Sequence, residues 1–133
     1  MVAYLTKVGV VNEALANIGF DAVEPGNHNF AWGQDTLQKM LTYTKAPVLN
    51  ANITHSADGS TFGQPYMIRE VNGVKIGMIG VDVQNMHRYV SDDKLEGLEF
   101  GNPSDAVREN LPKLKEAGCD VLMVVSHIGF DED

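Results

Sequence analysis

The chain has 133 residues, 44% of them hydrophobic and 21% charged, which is typical of one soluble globular domain with a real core. Its 18 acidic and 10 basic residues give a formal net charge of −8, and the basic residues form no stripe, so binding to a nucleic-acid backbone is disfavoured. A single cysteine excludes an internal disulfide, and no apolar run approaches the roughly 20 residues that span a bilayer.

Two helices and two short strands are predicted in the first half of the chain. Apolar residues at helical spacing predict one helix that ends at Gly19 and another that begins near Gln34 or Asp35. The apolar positions are Val8, Val11, Leu15 and Ile18 in the first helix and Leu37, Met40, Leu41 and Thr44 in the second. Residues 20–24 and 48–52 are predicted as strands because they are short apolar runs.

A β-hairpin is predicted in the middle of the chain. Asn72-Gly73 separates residues 66–71 from residues 74–81, and this dipeptide between apolar runs is a strong hairpin signal. Residues 54–64 and 84–101 show no clear period and are predicted as irregular segments.

A third helix and a last strand complete the prediction. Asn102-Pro103 is a cap followed by a first-position proline, and Gly118 ends the helix. Pro112 lies inside this helix and predicts a kink or a restart. The predicted buried positions of this helix are Val107, Leu111, Leu114 and Ala117. Residues 121–125 are predicted as a buried strand, and the alternation of strands and helices predicts a layered α/β domain with a mixed sheet.

Two histidines follow predicted strands in a way that indicates half of a metal site. Gly26-Asn27-His28 comes after one strand and Ser126-His127-Ile128-Gly129 after another, at the sheet edge where α/β proteins bind ligands. His28 and His127 could supply nitrogen and Asn27 a neutral oxygen to a divalent cation. The alternative is that Gly26-Asn27 is only a turn and that the histidines cap strand ends.

Other polar residues are interpreted more simply. His55 and His87 lie in polar surroundings and are predicted to be solvated, and Cys119 is predicted to be a packed thiol. Asp82 would reach the same sheet edge if the strands are parallel, where it either contacts a histidine or ligand or caps a loop.

Several motifs together resemble a known enzyme family. Gly26-Asn27-His28-Asn29-Phe30 is similar to the Gly-Asn-His-Glu motif of the calcineurin-like metallophosphoesterases. Stretches around it narrow the match, and these are residues 17–22, 49–53, 73–80 and 126–129. In this order they resemble the catalytic domain of the 5'-nucleotidase and 2',3'-cyclic-nucleotide phosphodiesterase branch, over nearly the whole chain.

The resemblance implies a fold, a reaction and residue roles. The family domain has four α/β/β/α layers with a mixed sheet and holds two divalent metals, drawn from Mn, Fe, Zn or Ca, and a metal-bound water or hydroxide attacks phosphorus. Carried over by position, Asn27 and His127 would ligate one metal. His28 would be the catalytic residue that stabilises the phosphoryl charge or assists the leaving oxygen.

Two departures from the family pattern are visible. Asn29 stands where the family has glutamate, which removes a charge and is expected to loosen the loop. The family's Asp-x-His, Gly-Asp and Gly-His-x-His motifs are not found, so residues 1–133 are interpreted as the central part of one catalytic domain, incomplete at both ends. Its two neutral ligands would hold a divalent ion weakly, so the site is expected to be empty or to hold a stray ion.

The sequence therefore leads to a functional hypothesis with one alternative. The parent protein is expected to be a secreted hydrolase, extracellular, at the cell surface or periplasmic, that acts on nucleotide or other phosphate esters in nucleotide catabolism, whereas this segment alone is expected to be inactive. The alternative is a non-catalytic binding module on the same fold with a degenerate metal site. The oligomeric state is left open.

Overall fold

The structure, a computed structural model, describes residues 9–129. Its elements are numbered separately as helices and strands in chain order. The helices are α1 (Gly9–Ile18), α2 (Asn27–Phe30), α3 (Gln34–Thr44), α4 (Asp92–Leu95) and α5 (Pro103–Glu116), and the strands are β1 (Ile53–His55), β2 (Tyr66–Val71), β3 (Val74–Asp82), β4 (Leu98–Phe100) and β5 (Val121–His127). A 3₁₀ turn covers Met86–Arg88. Among residues 9–129, no helix is both long and apolar enough to cross a membrane.

A three-stranded mixed sheet, in the order β2-β3-β5, confirms the predicted architecture. The hairpin between β2 and β3 is antiparallel, and Asn72 and Gly73 at its turn have φ of 51° and 83°, as a tight primed turn requires. β3 and β5 are parallel, with Asp82 opposite His127 at their carboxyl ends. β1 and β4 form a separate antiparallel pair.

Helix α5 packs on β3 and supplies one of two cores. Leu114 is fully buried and packs with Ile79, Val81 and Ala106. Gly77 lets this helix approach, because a Cβ there would lie 2.9 Å from Leu114 Cδ1. The second core is centred on Phe30 of α2 and also contains Leu37, Ile53, Val83, Met86, Val90, Leu95 and Leu98. It ties the end of α2 to the segment that follows β3.

The two strands predicted early in the chain are much shorter than expected. Residues 20–24 and 48–52 form only isolated bridges, Val23 with Val48 and Leu49 with Gln64. The pairing stops there because the chain turns into α2 soon after Val23. The segments predicted to be irregular instead hold β1 and β4, which are only three residues long and therefore carry too short a pattern to detect.

The helix predictions hold for position but not fully for burial or shape. Helix α5 runs through Pro112 without a break, because Pro112 is exposed and the carbonyl that it leaves free faces the same solvent side. Ala117 and Ile18 are exposed rather than buried. Val8 lies outside the described residues, and α1 begins at Gly9.

The last strand is not buried as predicted. The side chains of β5 from Val121 to Val124 are each 40–47% exposed. Within residues 9–129, β5 pairs with β3 at one edge and has no strand at its other edge. Its apolar run is therefore typical of a central strand, while its surroundings here are those of an edge strand.

Candidate metal centre

Local chain geometry brings the predicted site residues to one edge of the sheet. Asp82 and His127 end β3 and β5 at the same level because these strands are parallel and in register. Residues 49–51 link the segment before α2 to this edge of the sheet. The Leu49 N–H donates to the Val23 carbonyl at 2.8 Å, and the Ala51 N–H donates to the Gly80 carbonyl of β3 at 2.8 Å. Asn27, the first residue of α2, therefore lies at the carboxyl ends of the strands.

Asn27 and His127 are in direct contact although 100 residues separate them in the chain. The His127 Nε2 atom lies 2.9 Å from Asn27 Oδ1. Because an amide oxygen only accepts, this contact is a hydrogen bond in the tautomer that carries its proton on Nε2. The Asn27 side chain is half-buried and the His127 side chain is exposed, so both are open to solvent and to ligands.

Gly26 is needed for this contact rather than for a turn. Its φ of −109° and ψ of 178° are extended values that any residue adopts, so the backbone here does not require glycine. A Cβ on residue 26 would instead lie 2.6 Å from His127 Nε2 and 2.7 Å from Cδ2. The missing side chain leaves the space that the imidazole occupies.

Asn29 closes the loop rather than loosening it. The Gly26 N–H donates to Asn29 Oδ1 at 2.9 Å, and the Asn29 N–H donates to the Gly26 carbonyl at 2.8 Å. A side chain at the third position of a helix that returns to the cap N–H is half of a capping box, which glutamate commonly supplies. The Asn29 amide makes this contact here, which argues against the expected loosening of the loop.

The Asn27–His127 pair fits two ligands of one divalent cation. Ligand atoms about 2.1 Å from a common ion and about 90° apart lie roughly 3 Å from one another, close to the 2.9 Å observed. An amide oxygen and an imidazole nitrogen are suitable donors. Within residues 9–129, no group of three or more His, Cys, Asp or Glu side chains could hold a metal. The described part of the chain therefore offers part of a coordination sphere.

His28 lies next to Asn27 in α2, and its side chain is exposed. It does not line the cavity that Asn27 and His127 share. His28 and Asn27 lie in the same helical turn, so one ligand could contact both side chains. The catalytic role of His28 stays a prediction.

Two buried carboxyl groups lie near this edge of the sheet, Asp82, which the sequence analysis placed here, and Glu24, which it did not consider. Burial raises the pKa of the Glu24 carboxyl to about 9, and the charge of Asp82 adds to the rise while a hydrogen bond from Asn50 opposes it. Burial also raises the pKa of Asp82 to about 7, against a hydrogen bond from the Val83 N–H. The Glu24 carboxyl, with its pKa raised to about 9, is thus mostly neutral near pH 7.

Two buried asparagines hold the strand ends together. Asn50 donates to Glu24 Oε1 at 2.8 Å and accepts from the N–H groups of Asn52 and Ile53. Asn52 donates to the carbonyls of Asp82 and Gly101 at 2.8 and 2.9 Å and accepts from the Asp82 N–H at 2.9 Å. In the sequence, the signal for this network is the pair Asn50 and Asn52, two asparagines within a short apolar segment.

The remaining polar predictions are resolved by their contacts. Asp82 Oδ1 accepts from Val83 N–H at 2.7 Å, as a loop-capping carboxylate does. His87 is exposed, with its Nδ1 2.6 Å from Asp92 Oδ1, whereas His55 is half-buried against the Phe62 ring rather than solvated. Cys119 is a half-buried free thiol that packs against the core between α5 and β3, as predicted.

Comparison with known proteins supports the resemblance. No protein-family model matches the sequence. The chain is 29% identical over 118 residues to a 5'-nucleotidase of Vibrio cholerae, which covers 88% of this chain and 21% of that protein. It is 26% identical over 132 residues to a 2',3'-cyclic-nucleotide 2'-phosphodiesterase/3'-nucleotidase of Salmonella typhimurium, covering 92% of this chain and 20% of that protein.

A solved structure shows the same fold. The calcineurin-like phosphoesterase YfkN from Bacillus subtilis superposes with a TM-score of 0.79 at 28% identity, covering 90% of this chain and 38% of that chain. The chain thus spans about a fifth of the length of the two enzymes matched by sequence. Along nearly its whole length, it is similar in sequence and fold to the calcineurin-like phosphoesterases of the 5'-nucleotidase and cyclic-nucleotide phosphodiesterase branch.

Proposed function

We propose that the protein containing this chain is a metal-dependent phosphoesterase that hydrolyses nucleotide phosphate esters, of the 5'-nucleotidase or 2',3'-cyclic-nucleotide phosphodiesterase type. The contact of 2.9 Å between Asn27 Oδ1 and His127 Nε2 carries the proposal, because it joins two metal-type donors from distant parts of the chain. The names of the similar enzymes from V. cholerae and S. typhimurium supply the substrate class.

Each site residue has a proposed role. Asn27 and His127 would hold one divalent cation, and these donors discriminate poorly among Mn, Fe, Zn and Ca. A cation in such a site polarises a phosphoryl oxygen and lowers the pKa of water. Asn27 adds no charge that would repel a phosphate dianion. His28 would stabilise charge on the phosphoryl group or pass a proton to the leaving oxygen.

The chain by itself is proposed to bind a cation weakly and to be inactive or nearly so. Asn27 and His127 are neutral, and no carboxylate joins them among the described residues. The other metal ligands would come from regions of the longer protein that this segment does not contain. We also propose that the parent protein is exported, on the basis of the family resemblance.

The alternative, a non-catalytic module with a decayed site, was based on Asn29. The hydrogen bond from Gly26 N–H to Asn29 Oδ1 argues against it, because the loop that presents Asn27 keeps its helix cap. We therefore favour the enzyme.

The test is an activity assay of the full-length protein with Mn²⁺, using adenosine 5'-monophosphate, 2',3'-cyclic AMP and bis-p-nitrophenyl phosphate. We expect His127→Ala and Asn27→Ala to lower kcat/KM by about 100-fold or more, since a lost metal ligand removes the ion's contribution. His87→Ala is the matched control, because His87 is an exposed histidine that pairs with Asp92 and does not line the cavity that Asn27 and His127 share, and it should change little. Equal activity of His127→Ala and the unmodified protein would contradict the proposal.

The segment alone provides a second test. Residues 1–133 with added Mn²⁺ should not hydrolyse bis-p-nitrophenyl phosphate measurably. Robust turnover would show that ligands outside this segment are not required.

A further inference from the structure

One oxygen of the buried Asp82 carboxyl group takes no part in holding the fold. Asp82 is 0% exposed, and its Oδ1 accepts from the Val83 N–H at 2.7 Å. Its other oxygen, Oδ2, is buried and has no hydrogen-bond partner among the residues that the structure describes. A buried carboxyl oxygen without a donor is costly, so its place beside the candidate metal centre indicates that the site itself supplies the donor.

Asp82 and His127 face the same side of the sheet. They are register partners at the carboxyl ends of the parallel strands β3 and β5. Val81 and Ser126, one position earlier in each strand, line a cavity together with residues of α5. Because side chains alternate across a strand, Asp82 and His127 face away from α5, on the side where a Cβ on Gly26 would meet the imidazole. Neighbouring strands lie about 4.8 Å apart, so an aspartate and a histidine at register positions can reach one another.

The position of the imidazole proton decides what His127 can do. To donate to Asn27 Oδ1, 2.9 Å away, Nε2 must carry the proton. To ligate a cation, Nε2 must offer its lone pair instead, so the proton of the neutral ring must lie on Nδ1. Metal-ligating histidines almost always donate this second N–H to a carboxylate, a main-chain carbonyl or water, which fixes both the tautomer and the orientation of the ring. His127 therefore needs an acceptor for Nδ1–H when it serves as a ligand.

We infer that Asp82 is a positioning residue for His127, whose Nδ1–H donates to Asp82 Oδ2 so that an unprotonated Nε2 faces the cation shared with Asn27. In its ionised form a carboxylate is a stronger acceptor than a neutral group. The hydrogen bond from Val83 N–H to Oδ1 holds the carboxyl group in place while Oδ2 accepts from the ring. This inference rests on the proposed function, and it goes beyond it by naming the residue that selects the tautomer of the ligand.

The first measurement is Zn²⁺ binding to the full-length protein at pH 8, above the pKa of about 7 that burial gives the Asp82 carboxyl. Asp82→Asn keeps an oxygen for the Val83 N–H but replaces the second oxygen with an N–H donor, which cannot accept from Nδ1–H. Its Zn²⁺ affinity, measured by competition with a chelating dye, should fall about 10- to 100-fold, the usual effect of losing the partner of a metal ligand. Asp120→Asn is the matched control, because Asp120 Oδ2 accepts from Lys75 N–H at the opposite end of the same two strands, and its affinity should be unchanged.

NMR of the unmodified, Zn²⁺-loaded protein with ¹⁵N-labelled histidine is the second measurement, and it does not depend on the fold of the Asp82 variant. The signal that is lost in His127→Ala identifies the ring. Its Nδ1–H proton should be protected from exchange with water and shifted downfield, as a donor to a carboxylate is.

A freely exchanging Nδ1–H in the unmodified protein, or unchanged Zn²⁺ affinity of Asp82→Asn, would overturn the role of Asp82. The proposed function would still stand in that case if His127→Ala lowers both Zn²⁺ affinity and turnover. If His127→Ala lowers neither, the proposed function falls and this inference falls with it.

Discussion

Replacing Gly26 with alanine should separate the integrity of the site from the stability of the fold. The added Cβ would lie 2.6 Å from His127 Nε2, so the ring must retreat by about 0.9 Å to regain an ordinary van der Waals distance. His127 is exposed and can swing outward, and the backbone of residue 26 is extended and accepts alanine without strain. Although residue 26 is buried, the free energy of unfolding should therefore fall by less than about 1 kcal/mol, because the exposed imidazole gives way rather than the backbone.

The same displacement is large for a metal site. Site residues must be held to within about 0.5 Å, and a misplacement of about 1 Å can cost 100-fold in rate. We expect Gly26→Ala to lower kcat/KM of the full-length protein by about 100-fold and to weaken the NMR contact between the Asn27 amide and the His127 ring.

Gly80→Ala is the contrasting substitution for this experiment. A Cβ at residue 80 would meet the Leu49 main-chain carbonyl at 2.5 Å, and a backbone atom cannot swing away, so urea unfolding should show a loss of about 3 kcal/mol. If Gly26→Ala keeps both full activity and the Asn27–His127 contact, the argument that the missing Cβ makes room for the imidazole is refuted.

Three further predictions concern stability, each measured by urea unfolding. Asn52→Ala should lower the free energy of unfolding by about 2–4 kcal/mol, because the buried main-chain N–H and carbonyl of Asp82 lose their hydrogen bonds to the Asn52 side chain. Asn85→Ala, at an exposed position, should change it by less than about 0.5 kcal/mol. Equal effects would contradict the role of Asn52 in holding the strand ends together. The pKa of Glu24 is raised from 4.5 to about 9, so between these pH values the folded protein binds more protons than the unfolded chain. Stability should therefore fall as pH rises from 5 to 9, and Glu24→Gln should flatten that fall. An unchanged slope would exclude Glu24 as its cause. Lys45→Gly should raise the free energy of unfolding by about 0.5–1 kcal/mol, because Lys45 caps the end of α3 with a left-handed φ of 54°, which glycine adopts more easily. A decrease in stability would show that contacts of the lysine side chain outweigh the backbone strain.

Local signals in the sequence were sufficient for the long elements. Asn72-Gly73 specified the hairpin, and Asn102, whose Oδ1 accepts from Asp105 N–H at 3.1 Å, specified the start of α5. These features depend on neighbouring residues alone, so a single sequence carries them. Strands β1 and β4 were missed because three residues have no measurable period and their pairing joins positions about 45 residues apart.

The site could be anticipated in its residues but not in its supports. Asn27 and His127 were identified by their places after predicted strands and by the family resemblance. That Gly26 serves the imidazole, and that Asn29 closes the cap, depends on atoms that only the folded chain brings together.

The separation of Asn27 and His127 has a consequence for how the protein becomes competent during its synthesis. The imidazole reaches the amide only when β5 has aligned along β3, so the nascent chain carries a complete Gly-Asn-His-Asn stretch on the ribosome long before that stretch has a partner. A product that stops before residue 121 would retain the motif and yet capture no cation through this pair. If the proposed function is right, the late strand β5 would have to align along β3 before any chemistry at this pair could begin.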